Sequence, residues 1–124
     1  MKIQKSAEDY LESILMIRER QGYVRSIDVA TELGVTKPSV SYATKRLREN
    51  GFITVDDNGH LGLTDAGYEI AARIYERHKV LTAVLVSLGV ESALAAEDAC
   101  KLEHDLSPDS FAAIKNAAAE RGLL

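Results

Sequence analysis

Cys100, Glu103 and His104 stand at i, i+3 and i+4, with Asp105 following. On a helix of about 3.6 residues per turn these three positions fall within an arc of about 100°. The apolar neighbours Leu94, Ala99, Leu102 and Leu106 are then expected on another side. A thiol, a carboxylate and an imidazole converging on one patch can grip a transition metal. The chain also offers Asp9 with Glu12, one helical step apart and away from the apolar residues around them, and His78 inside Glu76-Arg77-His78-Lys79. Taken singly, each has a bland reading: Asp9 and Glu12 as solvated acids, His78 as a surface histidine, Cys100 as a small buried hydrophobe. The Cys-x-x-Glu-His run shifts that weighing, because a chance surface face seldom sets three ligand types together.

The elements that must position these residues are mostly helices. Ser6 is expected to cap a first helix to about Arg20, with Asp9 at capping-box spacing and Tyr10, Leu11, Ile14, Leu15 and Ile17 as its buried stripe. Gln21-Gly22 ends it. Ser26 is expected to cap a short helix through Ile27, Val29, Ala30 and Leu33 that stops at Gly34. Thr36 caps a third, with Pro38 in its first turn and Val40, Ala43 and Leu47 facing inward. Phe52 to Val55 alternates as a strand, Asp56-Asp57-Asn58-Gly59 is a hairpin turn, and His60 to Leu63 returns. Thr64 then caps a long helix to about Leu88-Gly89 with Ile70, Ile74, Leu81, Val84 and Leu85 in helical period. Another helix is expected over about 92–106, and Ser107-Pro108 restarts the chain into a last alanine-rich one.

A short helix, the turn Gly34-Val35-Thr36, a second helix and a two-stranded ribbon make a winged helix-turn-helix. Outside its core stripe the second helix presents Lys37, Ser39, Ser41, Tyr42, Lys45, Arg46 and Arg48. Its start suits base edges in the major groove, and Pro38 or the Tyr42 ring could meet a thymine methyl. Its basic end, with Arg25 ahead of the supporting helix, suits phosphates. An ordinary solvated basic face would carry as many cations. The coincidence with the Ala30/Gly34/Val40 packing pattern and an immediate hairpin favours DNA.

Charge is uneven. Residues 1–62 carry nine Lys/Arg and nine Asp/Glu, residues 63–124 six and ten, which leaves the whole chain at −4. Net acidity argues against indiscriminate nucleic-acid binding but not against a local basic helix, and it favours cations in the second half. A single cysteine excludes an intrachain disulfide and fits a reducing compartment. No apolar run approaches the roughly 20 residues of a membrane span, and no signal peptide opens the chain, so a cytoplasmic protein is expected. The expected fold class is mainly α: a winged helix-turn-helix over 1–63, then an all-helical metal-binding and dimerisation domain over 64–124. That second segment keeps apolar faces on three helices and is too small to bury them alone, so a homodimer is expected.

These residues resemble the diphtheria toxin repressor family of metal-dependent regulators over nearly the whole chain. The resemblance rests on Glu8-Asp9-Tyr10-Leu11-Glu12, Val40-Ser41, Leu63-Thr64-Asp65-Ala66-Gly67, Arg77-His78 and Glu97-Asp98-Ala99-Cys100-Lys101-Leu102-Glu103-His104. It implies a divalent metal bound by Asp9, Glu12, His78, Cys100, Glu103 and His104, and a homodimer that binds double-stranded palindromic operator DNA and represses metal-uptake genes. No membrane and no small organic substrate is implied. Iron-responsive members usually carry a third, SH3-like domain and a methionine where this chain has Asp9. The sequence is therefore closest to the two-domain manganese transport regulator branch. Cys100 departs from that branch's best-known member, which has glutamate there, while iron-branch members and some manganese regulators have cysteine. The iron branch's ancillary ligands align with Thr82 and Ala96, leaving only His78, so the ligand set is a hybrid. Carboxylates favour hard Mn²⁺ and a thiolate tilts toward Fe²⁺, Co²⁺ or Zn²⁺. Mn²⁺ is the expected effector, with Fe²⁺ the alternative. An enzyme would need a general base and an aromatic-lined substrate pocket, and the sequence offers neither. A metal-independent winged-helix regulator is the remaining alternative.

Overall fold

The structure, a computed structural model, describes residues 4–124. Among these residues it contains α1 (Lys5–Gln21), α2 (Ser26–Leu33), α3 (Lys37–Glu49), β1 (Ile53–Val55), β2 (Leu61–Leu63), α4 (Asp65–Ser87), α5 (Ser92–Leu102) and α6 (Pro108–Glu120). The chain forms two compact units, Met1–Arg73 and Ile74–Leu124, whose boundary falls inside α4.

The first unit is built on α1. Tyr10, Leu11, Ile14, Leu15 and Ile17 are all buried as the periodicity predicts, and Ala7, Glu12 and Ser13 are buried with them. Ser6 is not the cap. The helix starts one residue before it, and the preceding Gln4 is extended with no side-chain cap. Glu8 N–H already donates to the Gln4 carbonyl (3.0 Å), so Ser6 has helical neighbours on both sides. Ser26 is likewise the first helical residue rather than the cap. Arg25 is extended because it pairs with His60 in an isolated β-bridge, and its amide donates to Asp28 Oδ2 at 2.9 Å.

The turn between α2 and α3 depends on Gly34, whose φ of 66° lies in the left-handed region. Thr36 caps α3 as expected, its Oγ1 accepting from Ser39 N–H at 3.2 Å, with Pro38 in the first turn. Val40, Thr44 and Leu47 are the buried positions of α3, whereas Ala43 is only half-buried. Thr44 keeps its hydroxyl satisfied on the Ser41 carbonyl (3.2 Å). The ribbon pairs Ile53 with Leu63, Thr54 with Gly62 and Val55 with Leu61, antiparallel. Leu61 N–H donates to the Val24 carbonyl (2.8 Å), so the chain before α2 forms a short third edge of the wing.

α4 leaves the ribbon through Thr64, whose hydroxyl donates to the Gly51 carbonyl (2.6 Å) and accepts from Gly67 N–H (3.2 Å). Gly67 is buried, and a Cβ there would lie 2.0 Å from the Phe52 carbonyl oxygen. The backbones of the wing and of α4 can meet only without a side chain. Gly67→Ala is therefore expected to destabilise the first unit by about 1–3 kcal/mol, the usual cost of overpacking. Denaturant unfolding checks this, and an unchanged midpoint would contradict it.

The second unit packs Val80 of α4 against Phe111 and Ala118 of α6, with Val84, Leu106, Ile114 and Leu123 around them. α5 ends at Leu102, not near Leu106, and Glu103 occupies its C-cap. Its buried line is Ala95, Ala99 and Glu103, at i, i+4 and i+8. Leu94 and Leu102, expected on a side away from the ligand residues, are 49 % and 43 % exposed. Val86 and Leu88 near the end of α4 are exposed as well. Ser107 caps α6 through Ser110 N–H (3.1 Å), with Pro108 at the first helical position. No described helix is long and apolar enough to cross a membrane.

Candidate metal centre and nucleic-acid interface

In the second unit the ligand types converge on Glu103, which is completely buried. Its Oε2 lies 3.1 Å from His78 Nδ1 and its Oε1 lies 3.4 Å from His104 Nε2. Glu103 Oε1 makes no hydrogen bond among the described residues. Cys100 is exposed, with Sγ within 4.8 Å of a Glu103 carboxylate oxygen. Glu103 and His104 are not on the helix that spacing alone predicts; they lie in the turn that leaves α5. The grouping survives because the C-cap residue keeps right-handed helical torsions (φ −60°, ψ −24°) and so continues the line of Ala95 and Ala99. Thr82 donates its hydroxyl to the His78 carbonyl (2.7 Å), bracing the turn of α4 that carries the imidazole.

A buried carboxylate costs several kcal/mol unless a cation or hydrogen-bond donors compensate it. A neutral imidazole can donate from only one ring nitrogen. Glu103 thus retains lone pairs for a positive charge, and imidazole, thiolate and carboxylate are a donor set that divalent transition metals accept. The residues fit a metal.

The first unit holds the other two candidates. Asp9 is half-buried and Glu12 only 5 % exposed, one turn apart on α1. Neither is the solvated acid that a one-sided stripe would leave, because α1 is buried on more than its apolar face. Glu8, beside them in sequence, forms an ion pair with Arg73 at 3.2 Å.

The candidate DNA contacts Arg25, Lys37, Pro38, Ser39, Ser41, Tyr42, Lys45 and Arg46 are all exposed. Ser39 Oγ lies 2.9 Å from Thr36 Oγ1, so part of its hydrogen-bonding capacity serves the cap. Tyr42 is 65 % exposed. The Arg46 guanidinium stands 5.7 Å from the centre of its ring and donates to its hydroxyl at 3.3 Å, so the two act as one unit. Ser41, Lys45 and Arg48 share a polar groove with Ser26 at the start of α2 and with Val55 and Leu61 of the wing.

At the wing tip Asp56 Oδ1 accepts from the amides of His60 (2.9 Å) and Asn58 (2.8 Å). The His60 amide, against the opposing effect of burial and with help from the Asn58 amide and the nearby His60 and Arg25 charges, holds its carboxyl below the usual carboxylate range. The folded value is depressed, so this contribution is fully present above the unfolded value, near 4, and is lost as pH falls through the folded one. The Asn58 and His60 amides are expected to lose protection first as pH drops below about 4. Amide exchange across that range checks this; protection independent of pH would contradict it.

A winged-helix reading element and a helical unit with a buried multi-donor cluster define a metal-responsive DNA-binding protein as the class. Residues 2–61 match the family description "Iron dependent repressor, N-terminal DNA binding domain", and residues 64–120 match "Iron dependent repressor, metal binding and dimerisation domain". The chain belongs to this iron-dependent repressor family, a family of transcriptional regulators rather than enzymes. It is 34 % identical over 113 residues to an HTH-type transcriptional regulator of Methanocaldococcus jannaschii, covering 90 % of each chain. It is 35 % identical over 111 residues to the transcriptional regulator MntR of Listeria welshimeri, covering 90 % of this chain and 78 % of the relative. Among solved structures, a manganese-dependent transcriptional repressor in complex with manganese superposes with a TM-score of 0.81 at 32 % identity, over 95 % of this chain and 53 % of that one. The chain therefore spans about half the length of that structure.

Two structural features escaped the sequence reading. Arg77 is buried, although it could have been found on the line Ile70, Ile74, Arg77, Leu81, where helical period demands an inward residue. The Arg25–His60 bridge had no local signal, since it joins residues distant in sequence.

Proposed function

We propose that this protein is a Mn²⁺-activated, DNA-binding transcriptional repressor of metal-uptake genes, acting in the cytoplasm as a homodimer on a palindromic operator. The observation that carries the reading is the buried Glu103 facing His78 and His104, with Cys100 beside it. Asp9 and Glu12 of the DNA-binding half complete the proposed ligand set. Family membership and the similarity to manganese regulators support this assignment. Fe²⁺ is the second reading, favoured by the Cys100 thiol, a softer donor than a carboxylate.

The bound ion supplies divalent positive charge to carboxylates drawn from both halves. His78, Glu103 and His104 would hold the ion from the second unit, and Asp9 and Glu12 are its candidate ligands from the first. Joining the halves narrows the range of separations between the two recognition helices of a dimer to those that match successive major grooves. Functionally the boundary falls between residues 63 and 64, after the wing. Because Cys100 must be deprotonated and both histidines neutral to coordinate, metal affinity falls as pH falls.

Gel-shift experiments test the function, on a duplex selected from a random pool by the metal-loaded protein. Retardation is expected with Mn²⁺ and not with a chelator. Equal retardation in both lanes would leave a metal-independent winged-helix regulator. Stronger activation by Fe²⁺ under anaerobic conditions would select the iron reading.

A further inference from the structure

Arg77, next to His78 on α4, carries a charge into the core of the second unit and is only 4 % exposed. Its hydrogen-bond partners are carbonyl oxygens. Nη1 donates to the Glu103 oxygen at 3.1 Å and to the Leu106 oxygen at 2.7 Å. The guanidinium also stands 5.2 Å from the centre of the Phe111 ring, and Nε has no hydrogen bond among the described residues. An arginine is a costly way to fill a core position, since an apolar side chain of similar volume is often equally stabilising. Its distinguishing property is a rigid donor group that can hold two acceptors at once.

The two carbonyls bracket the segment 103–106, which contains both Glu103 and His104. This segment has left α5, so no continuing helical ladder fixes it, and carbonyls at a helix C-terminus lack intrahelical donors. The turn of α4 that presents His78 therefore also grips the backbone beneath Glu103. We infer that Arg77 is a positioning residue for the metal centre, setting Glu103 and His104 opposite His78 before the ion arrives. The inference rests on the ligand assignment proposed above and deepens it. Arg77 touches no ion itself and acts through the backbone of residues 103–106.

Arg77→Lys keeps the charge but loses the planar Nη1 donor pair and its reach, and Arg77→Met keeps the volume but loses every donor. Glu103→Gln serves as the control for the ligand assignment. Both Arg77 variants are expected to bind Mn²⁺ about ten- to a hundredfold more weakly by calorimetry, the usual cost of removing support behind a ligand. In the metal-free protein the amides of 103–106 should exchange faster, while protection around Val80 and Ala118 stays as in the unaltered chain. A merely structural arginine would loosen the whole unit together. Unchanged Mn²⁺ affinity in Arg77→Lys and Arg77→Met, with Glu103→Gln impaired, would overturn the inference alone. An unimpaired Glu103→Gln would instead overturn the ligand assignment. Should both Arg77 variants fail to fold, nuclear magnetic resonance of the unaltered metal-free protein decides. Slowly exchanging Arg77 Nη protons coupled to the Glu103 and Leu106 carbonyls are expected, and rapidly averaged ones would refute the role.

Discussion

Glu103→Gln is expected to abolish metal-dependent DNA binding while leaving the metal-free protein as stable as before, or more so. The side chain is fully buried, and its carboxylate faces two imidazoles. In the metal-free protein the desolvated carboxylate has no metal cation beside it to offset its burial. Glutamine has the same shape and no charge, and its burial costs less. With metal the balance reverses, because the anionic donor at the centre of the cluster is gone. The loss should exceed the roughly 10–100-fold typical of supporting residues, since a ligand itself is removed. Thermal unfolding and Mn²⁺ calorimetry at pH 8 test the two halves of this prediction. Parallel losses of stability and metal affinity would mean that Glu103 holds the fold and not the ion.

Lys45→Ala and Arg46→Ala are expected to weaken binding to all DNA sequences. Each should lower the slope of log affinity against log salt by about one, because each phosphate contact releases condensed counterions. Ser39→Ala and Tyr42→Ala should mainly lower discrimination between operator and random DNA. The Tyr42 variant will not be purely of this kind, since the Arg46 guanidinium rests on the Tyr42 ring and hydroxyl. Tyr42→Ala should therefore also flatten the salt dependence in part, which separates it from Ser39→Ala. Fluorescence anisotropy on operator and random duplexes over a range of salt resolves the two effects. Equal salt slopes in all four variants would contradict the division of roles along α3.

Much of this architecture is legible locally. Thr36 with Pro38, and Ser107 with Pro108, announce helix starts because a side-chain oxygen satisfies free amides where proline has none to offer. The stripe of α1 and the hairpin around Asp56 follow from period and turn chemistry. Ser6 and Ser26 misled because a serine inside a helix has the same local appearance as one at its start. The capping position of Arg25 ahead of Ser26 depends on its long-range bridge to His60. The metal cluster was legible as residue types, but its geometry was not. Glu103 looked like one member of a triplet on one patch, and it is the buried centre of the group because Ala95 and Ala99, rather than Leu94 and Leu102, face inward. Small residues permit close helix packing, and a hydrophobicity pattern alone ranks them below leucine.

The central proposal is that one divalent ion would join ligands from both halves of the chain, so that occupancy at one end would govern geometry at the other. Hydrogen exchange of the metal-free and Mn²⁺-loaded dimer tests this most directly, followed at the α1 segment bearing Asp9 and Glu12 and at residues 100–104. Both segments are expected to gain protection together on loading, and Asp9→Ala should remove the gain in α1 without unfolding it. Equal protection of both segments with and without metal would contradict the claim.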